Sequence, residues 1–372
     1  MESEMSALQS IAPKKENEES NSLLTPPAGE KKQTLPPSRP SHHYPGQNIL
    51  KWILLGIRML LFVFGSLVAL FLVLGRFPGL YWKLDQFSHF VPQYAFLLGG
   101  VILLLFLLGL PGKRFLLMWI LLPFWCYSLY LFLPHFLKCR EGMEMEDPGK
   151  TIFRLLELNV MCDYSDRSDL AKLVSGEEPD FIVFTEYSPS AHRSMSEKEI
   201  SKYPWHYEIY DGDHTGIGVF SRYPAEFSVE QISEMPIVRM EADCGEGEGK
   251  FTLFAFRATS PRREYLYHLR NEVVRSAETW ASALNTPAMM TGDFNATAYS
   301  PLMRLIESRG KMRFGASPWL YTWPALKKGW SPFLIQIDHC MVNDGIRVLR
   351  VRRCQKVKSD HYPVLIEFQI KE

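Results

Sequence analysis

The sequence predicts an α+β domain with packed β-sheets, preceded by three transmembrane helices and a disordered N-terminal tail. Three observations carry this prediction: a proline-rich segment at 1–48, long apolar runs within 49–137, and many short strand-like runs within 151–372. Hydrophobic residues make up 47% and charged residues 22% of the chain, which excludes wholesale disorder, a collagen-like fibre and a coiled coil. The formal net charge of zero excludes the bulk attraction of a strongly basic nucleic-acid binder.

Residues 1–48 combine prolines with Ser, Glu and Lys and contain few large apolar side chains. Such a segment buries too little apolar surface to offset its chain entropy, so we expect a disordered tail. A signal peptide is excluded because no apolar core lies within the first thirty or so residues. A solvated tail is favoured over a proline-rich docking motif, since nothing in the segment selects a partner.

The three apolar runs are typical of a membrane anchor, assigned here to residues 49–137. Residues 53–74 are apolar except for Arg58, whereas 94–110 (extended by 91–93) and 115–133 carry no charge. A helix of about 20 residues crosses a hydrocarbon core of roughly 30 Å. Aromatic side chains near the run ends suit the lipid interface: Trp52, Tyr81, Trp82 and Tyr130. A buried soluble hairpin is disfavoured because the runs lack a polar face.

Basic residues around the runs give the anchor an orientation. Four precede the first run (Lys31, Lys32, Arg39 and Lys51), and Lys113 and Arg114 form the second loop. The other side holds Arg76 and Lys83 in the first loop, and Lys138 and Arg140 after the third run. The positive-inside rule therefore favours a cytoplasmic N-terminus, with residues 138–372 outside the cytoplasm.

Residues 151–372, after a linker at 138–150, form the predicted catalytic domain. They hold 27 Lys+Arg and 30 Asp+Glu, a net charge of about −3 that argues against tight nonspecific DNA binding. Strand-like runs occur at 152–160, 181–185, 216–221, 251–256, 288–291, 335–342, 348–353 and 363–370, with helical patterns at 169–174 and 262–284. Many strands with few helices favour packed sheets over a doubly wound parallel sheet.

Acidic and amide groups stand where the apolar runs stop. The strings are Glu157-Leu-Asn159, Phe184-Thr-Glu186, Gly292-Asp293-Phe-Asn295, Ile337-Asp338-His339 and Ser359-Asp360-His361. Carboxylate and amide oxygens suit Mg²⁺ or Mn²⁺, and an Asp can orient or deprotonate water. Together with a polarised His, these groups describe metal-assisted hydrolysis of a phosphate ester, although each string alone is equally a turn or a helix cap.

In this order the strings resemble the endonuclease/exonuclease/phosphatase superfamily, which includes deoxyribonuclease I, AP endonucleases, sphingomyelinases and inositol polyphosphate 5-phosphatases. The resemblance rests on Asn159, "PDFIVFTE", "GDFN", "TWP" at 322–324, "IDH" and "SDHYPV", and spans about 150–370. It implies two packed, mainly antiparallel β-sheets flanked by helices, an α/β/β/α sandwich. The three-span anchor is similar to that of bacterial membrane-attached members.

The resemblance also implies a role for each residue. Glu186 would be the main ligand of Mg²⁺ or Mn²⁺, Asn159 would help hold metal or phosphate, and Asp360 would be a further metal-side carboxylate. Asp293 would position or deprotonate the attacking water, and Asn295 would hydrogen-bond the phosphoryl oxygens. His361 would stabilise the pentavalent transition state, and Asp338 would orient it.

One position departs from the family pattern. In "FRATSP", Arg257 stands where many members have His. Arg binds phosphate bidentately but accepts no proton at neutral pH, so Arg257 is expected either to grip phosphate or to point away from the site. Arg263, with Arg262 and Arg270, begins a helix and is a second candidate for phosphate, against a solvated helix face.

Three further features leave alternatives open. The basic run at 347–358 is either a rim for nucleic acid or anionic lipid, or a charged sheet edge. The acidic string at 211–216 favours a hairpin turn over a metal loop. The cysteines Cys162, Cys244, Cys340 and Cys354 fit no metal motif, which leaves a disulfide open.

The sequence thus predicts a membrane-anchored, divalent-metal-dependent phosphoesterase that hydrolyses phosphodiester bonds, nuclease-like in its chemistry. The substrate is expected to be a phosphate ester of nucleic acid. A lipid or inositol-phosphate hydrolase is the alternative that membrane attachment favours. A noncatalytic binding module that keeps the fold is the alternative of another class.

Overall fold

The computed structural model of the protein describes residues 45–108, 116–141, 145–162, 168–210, 214–315, 320–325, 331 and 333–371. Most of the predicted tail lies outside these ranges, as do the second predicted loop with Lys113 and Arg114 and the acidic positions 211–213. One compact unit extends over Lys51–Glu372, so the apolar helices and the domain belong to the same unit.

Among the described residues, three helical segments are long and apolar enough to cross a membrane, as the sequence predicts: Ile49–Leu74, Trp82–Leu107 and Leu117–Leu137. They contain the helices α1 (Pro45–Leu74), α2 (Val91–Leu107) and α3 (Leu116–Glu141). Leu98, Val101 and Leu105 of α2 are buried against the other two helices. The connection from α1 to α2 contains a 3-10 helix over Trp82–Phe90, here called the juxtamembrane helix. The candidate span that includes α2 begins with it and runs over Trp82–Leu107.

The domain contains twelve strands and five helices within the described residues. The strands are β1 (Phe153–Asn159), β2 (Phe181–Thr185), β3 (Trp205–Ile209), β4 (Ile217–Ser221), β5 (Ala225–Ile232), β6 (Met235–Asp243), β7 (Lys250–Arg257), β8 (Ala288–Asp293), β9 (Arg313–Phe314), β10 (Asp338–Val342), β11 (Ile346–Arg353) and β12 (Val364–Ile370). The helices are α4 (Ser168–Glu177), α5 (Pro189–Ser194), α6 (Glu197–Ile200), α7 (Glu264–Ala283) and α8 (Pro301–Ser308).

The strands form two six-stranded sheets, with orders β11-β12-β1-β2-β4-β3 and β5-β6-β7-β8-β10-β9. Parallel pairing joins β1 to β2 and β7 to β8, and the other pairs are antiparallel. The predicted α+β class with mainly antiparallel sheets is therefore confirmed. β11 is an edge strand, and its Arg352 pairs with Glu177 of α4. This placement supports the charged-edge interpretation of the basic run.

Apolar packing between the sheets creates the main core. Leu155 and Phe181 of the first sheet pack in one buried cluster with Leu253 and Met289 of the second. A second cluster packs α7 and α8 on the outer face of the second sheet, and a third packs α4 and α5 on the outer face of the first. The layers are thus helix, sheet, sheet, helix. Their packing fixes the ends of the central strands, where the predicted site residues lie.

The domain is bonded to the anchor through buried polar contacts. Arg270 of α7 is fully buried and donates from Nη1 to Oδ2 of Asp85 in the juxtamembrane helix, at 2.6 Å. Arg76, after α1, donates to the carbonyl of Tyr299 at 2.8 Å. Arg304 of α8 donates to the carbonyl of Leu131 in α3 at 3.3 Å. The domain therefore rests directly on the three apolar helices.

Candidate active site

The polar strand ends converge because the register of both sheets brings them to one edge. Asp293, the last residue of β8, lies opposite Asp338 at the start of β10. It also lies beside Arg257, the last residue of β7. In the other sheet, Asn159 ends β1 beside the end of β2, and Glu186 follows directly. The sequence prediction that these groups meet is consistent with this register.

Asp293 occupies the centre of the group and is almost fully buried. Its Oδ1 accepts from the backbone nitrogen of Asn295, and its Oδ2 accepts from the side-chain amides of Asn295 (2.9 Å) and Asn159 (3.1 Å). Burial and the neighbouring carboxylate of Asp338 raise the pKa of Asp293 to about 6. A carboxylate with a pKa near neutrality is suited to accept a proton from water.

Glu186 is held in a left-handed backbone conformation, with φ of 52°. Asn295 shares this feature, with φ of 47°. Because such conformations are costly for residues other than Gly, packing must impose them here. Oε1 of Glu186 lies 2.8 Å from Arg257 Nη2 and 3.0 Å from Asn159 Nδ2. Oε2 lies 2.9 Å from His214 Nδ1.

The charge state of Glu186 follows from these partners. Burial alone would raise the pKa of Glu186, but the adjacent Arg257 guanidinium and the hydrogen bonds from His214 and Asn159 lower it to about 2. Glu186 is therefore a carboxylate across the physiological pH range. Arg257 points into the site and bridges its two acidic groups, since its Nε lies 3.8 Å from Asp293 Oδ2. The alternative in which Arg257 points away is wrong.

His361 forms the other side of the site together with Asp338. Its Nδ1 lies 2.8 Å from Asp338 Oδ2 and 3.0 Å from Oδ1, and both residues are buried. Burial alone would lower the pKa of His361, but the Asp338 carboxylate raises it to about 9. The imidazole is then a cation at neutral pH, with Nε2 as its second donor.

Hydrogen bonds from nearby segments fix this pair in place. Thr322 Oγ1 accepts from the backbone nitrogens of Ile337 and Asp338, at 3.2 and 3.3 Å. Ser359 Oγ donates to the Asn159 carbonyl at 2.7 Å and accepts from the His361 nitrogen at 3.0 Å. The Ser359 bonds tie the segment before β12 to the end of β1.

Asp360 is the half-exposed carboxylate of the site. Its Oδ2 accepts from Trp323 Nε1 at 3.0 Å, and its Oδ1 lies 4.0 Å from His361 Nε2. The Trp323 bond leaves the rest of the carboxylate at the rim of the cleft. Asp360 is thus placed where a metal or substrate arriving from solvent would meet it.

Glu157 belongs to the site although sequence reasoning assigned it no role. Only 1% of it is exposed, and burial together with Asp338 and Asp293 raises the pKa of Glu157 well above its usual range. A third buried carboxyl group therefore lies close to the two aspartates. The signal in the sequence was its position two residues before Asn159, on the same face of β1.

A cleft of about 310 Å³ opens over these groups. It is lined by Glu186, Arg257, Asp293, Asn295, Asp360 and His361, by Ser260, Pro261, Arg262, Trp323, Ile335 and Ile337, and by Gln86, His89 and Phe90 of the juxtamembrane helix. Of the candidate phosphate-binding arginines, Arg262 lines the cleft, whereas Arg263 does not. Arg270 points instead to Asp85.

The acidic string at 211–216 connects β3 to β4, which pair as an antiparallel hairpin. Its His214 contacts Glu186, and Cys162 Sγ lies 3.2 Å from the same ring nitrogen. Cys244, Cys340 and Cys354 are free and buried, so no disulfide joins these three. Sequence reasoning missed His214 because nothing in a hairpin turn indicates a long-range contact.

The donor set fits a divalent cation. The carboxylates Glu186, Asp293 and Asp360 line one cleft, and Asp338 lies directly behind it as the partner of His361. Ligand atoms of Asp293, Asp338 and His361 lie within 4.8 Å of one another, and so do those of Cys162, Glu186 and His214. Carboxylate and amide oxygens are the ligands preferred by Mg²⁺ and Mn²⁺.

Carboxylates, amides and an Asp-held imidazole at the edge of a two-sheet sandwich define a hydrolase of phosphoric esters. The family model "Endonuclease/Exonuclease/phosphatase family" matches residues 156–361, which is more than half of the chain. The chain belongs to this family. No curated protein sequence matches it.

Several solved structures are similar to the chain. A protein of the same family name from Beutenbergia cavernae shares 16% identity, with 59% of this chain and 72% of that chain covered and a TM-score of 0.46. One from Bacteroides vulgatus shares 17%, covering 60% of this chain and 100% of the other, with a TM-score of 0.47. TDP2 from D. rerio, complexed with a single-strand DNA product, shares 15%, covering 59% and 99%, with a TM-score of 0.48.

Proposed function

We propose that the protein is a membrane-attached, divalent-metal-dependent phosphodiesterase. The observation that carries the proposal is the placement of Asp293 and the Asp338–His361 pair on one cleft. The carboxylate has a pKa near 6, and the imidazole opposite it is cationic. A base and a cation that face one small cavity are the two groups that in-line attack of water on phosphorus requires.

The protein side of the reaction follows from these positions. Asp293 accepts the proton of the attacking water, while the amides of Asn159 and Asn295 hold its carboxylate still. His361 donates from Nε2 to the charge that develops on the phosphoryl or leaving oxygen, and Asp338 holds the ring from Nδ1. The water oxygen thus forms a bond to phosphorus while its proton moves to Asp293. The bond from phosphorus to the leaving oxygen breaks, and this oxygen takes a proton from Nε2 of His361 and departs as the alcohol.

The two amides have a different role from the one the resemblance implies. Nδ2 of Asn295 donates to both Asp293 Oδ2 and the Ala258 carbonyl, at 2.9 Å each, so its two protons are used within the protein. Nδ2 of Asn159 likewise donates to Glu186 and Asp293. We therefore assign both residues to positioning the carboxylates rather than to direct binding of the phosphoryl oxygens.

Glu186 and Asp360, with a carboxylate oxygen of Asp293, are the groups that would hold the metal. A bound divalent cation would neutralise phosphate charge and lower the pKa of a water molecule. Arg257 contacts Glu186 Oε1, so a metal held by Glu186 would share this carboxylate with the guanidinium. We assign Arg257 to binding a phosphoryl oxygen, because its donors lie between the two acidic groups and it cannot accept a proton.

The test is hydrolysis of bis(p-nitrophenyl) phosphate by the purified full-length chain in detergent with Mg²⁺. We expect Asp293→Asn to lower turnover by on the order of 10²–10⁴, the usual effect of losing a general base. Asp344→Asn, at an exposed position in the turn before β11, is the matched control and should keep the parent rate. If Asp293→Asn folds normally and retains the parent rate, Asp293 is not the base; if the parent shows no metal-dependent hydrolysis, the proposal fails.

A further inference from the structure

The wall of the catalytic cleft that faces the membrane is built by the anchor itself. Gln86, His89 and Phe90 of the juxtamembrane helix line the cleft together with the catalytic side chains. His89 is bonded to the domain, because its Nδ1 lies 3.2 Å from Thr297 Oγ1. Its Nε2 lies 3.4 Å from Asp85 Oδ2 within the same helix. The cleft is therefore incomplete without the segment that connects two membrane helices.

The length of α2 places this wall at the level of the lipid head groups. α2 has 17 residues, which at 1.5 Å per residue gives about 26 Å. The hydrocarbon core is roughly 30 Å thick, so the helix is too short to cross it without the residues that precede it. The candidate span accordingly begins at Trp82 and includes all of the juxtamembrane helix. Phe90, at the junction of that helix and α2, is therefore about 26 Å along the span from Leu107, near the far boundary of a hydrocarbon core of roughly 30 Å.

The contacts of α3 independently show that the domain lies beside the end of a candidate membrane span. His135 lies inside the third candidate span, Leu117–Leu137, and its ring packs against Tyr299 and Phe314 of the domain at 5.4 and 5.2 Å. Leu131 of the same span accepts a hydrogen bond from Arg304. The domain therefore overlaps the last turns of a membrane helix rather than standing above the bilayer on a linker.

The mouth of the cleft is apolar on this side. Phe90 meets Phe333 edge-on, with ring centroids 6.0 Å apart, and 61% of Phe333 is exposed. Ile335 and Ile337 continue the apolar surface toward His361. A nucleic-acid groove would carry a row of cations along the path of the backbone, whereas Arg257 and Arg262 are the arginines among the described residues that line the cleft. The basic residues Arg347 and Arg352 of β11 are engaged elsewhere, with Asp147 and Glu177.

We propose that the substrate is a lipid-borne phosphodiester that enters the cleft from the bilayer, with its acyl or alkyl chain passing over Phe90 and its phosphate reaching Arg257 and His361. This inference rests on the proposed hydrolytic function and adds the substrate class. The apolar wall keeps the chain in contact with hydrocarbon while only the head group moves into the cleft. Binding energy from the chain then contributes to positioning the phosphate.

The test compares two esters that have the same leaving group. Full-length protein in phosphatidylcholine nanodiscs with Mg²⁺ is assayed with p-nitrophenyl hexadecyl phosphate and with p-nitrophenyl ethyl phosphate. We expect kcat/KM to be larger for the hexadecyl ester by about tenfold or more, the gain from burying a few methylene groups. Phe90→Ser should reduce this ratio by about tenfold, whereas Phe77→Ser, an equally apolar change in the same connection but outside the cleft, should leave the ratio at the parent value.

The outcomes separate the two proposals. Equal kcat/KM for the two esters, or a ratio that Phe90→Ser leaves unchanged, overturns the lipid inference and leaves the hydrolytic function standing. Faster cleavage of a single-stranded oligonucleotide than of the hexadecyl ester overturns it in favour of nucleic acid. Absence of metal-dependent cleavage of all three substrates removes the hydrolytic function, and the lipid inference with it.

Discussion

Replacing Asp85 by Asn breaks the buried ion pair that holds the domain on its anchor. The side chain of Arg270 is fully buried and that of Asp85 is 2% exposed, and their atoms are 2.6 Å apart. Asn lacks the charge that balances the guanidinium, so Arg270 would stay in a dry site with neutral acceptors alone. These acceptors are Oδ1 of Asn271 and the Asn295 carbonyl.

The magnitude follows from the cost of an uncompensated buried charge. Removing one partner of a buried pair costs about 3–5 kcal/mol, and the two neutral acceptors place Asp85→Asn at the lower end, about 3 kcal/mol. For a domain of this size that corresponds to a fall in melting temperature of roughly 6–12 °C. Asp85→Leu combined with Arg270→Met should recover much of the loss, because no charge then remains buried.

The measurement is thermal unfolding of full-length protein in detergent, followed by near-ultraviolet circular dichroism. Asp243→Asn serves as the matched control, since it removes an acidic partner from the exposed Lys250–Asp243 pair, and its melting temperature should equal that of the parent. Asp85→Asn melting with the parent would show that the pair does not hold anchor and domain together. A double variant less stable than Asp85→Asn would contradict the buried-charge argument.

Three further predictions concern the site and its support. His361→Ala should lower turnover by on the order of 10²–10⁴, and adding Asp338→Asn should cost little more because the two residues act as one unit; additive losses with unchanged melting would separate their roles. Chelation of divalent metal should abolish hydrolysis by the full-length chain and Glu186→Gln should raise the Mg²⁺ concentration needed for half-maximal rate, whereas undiminished activity after chelation would remove the metal from the mechanism. Burial lowers the pKa of His339 to about 4, against 6.5 in the unfolded chain, so the unfolded state binds more protons between these pH values. The stability that neutral His339 contributes is present above pH 6.5 and is lost as the pH falls toward 4. Urea unfolding between pH 7 and 5 should therefore show a steeper loss of stability for the parent than for His339→Gln, and parallel curves would contradict the assignment.

The polar strand ends were predictable because several apolar runs stop at acidic or amide residues, and the strings occur in a specific order. Apolar runs such as Phe181–Thr185 end abruptly at a carboxylate, and a buried strand that ends in a charged group needs a reason for that group. The strand prediction at 181–185 matches β2, and the helix at 262–284 differs from α7 by two residues at its start and one at its end. The family resemblance carried by the ordered strings also implied that two sheets pack against each other.

The missed strands β5 and β6 lack a continuous apolar run. β5 alternates half-buried with exposed residues, and β6 contains charges such as Arg239 and Glu241. The juxtamembrane helix contains Asp85 and His89, which look like loop residues until Arg270 and Thr297 are seen to satisfy them. Only tertiary contacts identify such buried polar groups, and a single sequence does not contain them.

Arg257 shows a different limit of sequence reasoning. Its position in "FRATSP" indicated a departure from the family pattern, but two opposite orientations were compatible with the string. The parallel register of β7 and β8 decides between them, because it aligns Arg257 with Asp293. A register between strands more than thirty residues apart is a property of the whole sheet.

The hydrogen bonds of the site connect one sheet to the other, so activity depends on how the two sheets are aligned. Asn159 reaches from the first sheet to Asp293 of the second, and Asp338 reaches from the second sheet to His361 of the first. The apolar core between the sheets, which includes Leu155 and Met289, sets the distance between the sheets and so the lengths of both hydrogen bonds. A chain whose two sheets are formed but have slid by an ångström would keep its secondary structure and lose its chemistry. Turnover therefore reports the alignment of the two halves of the domain more finely than any spectroscopic signal of folding.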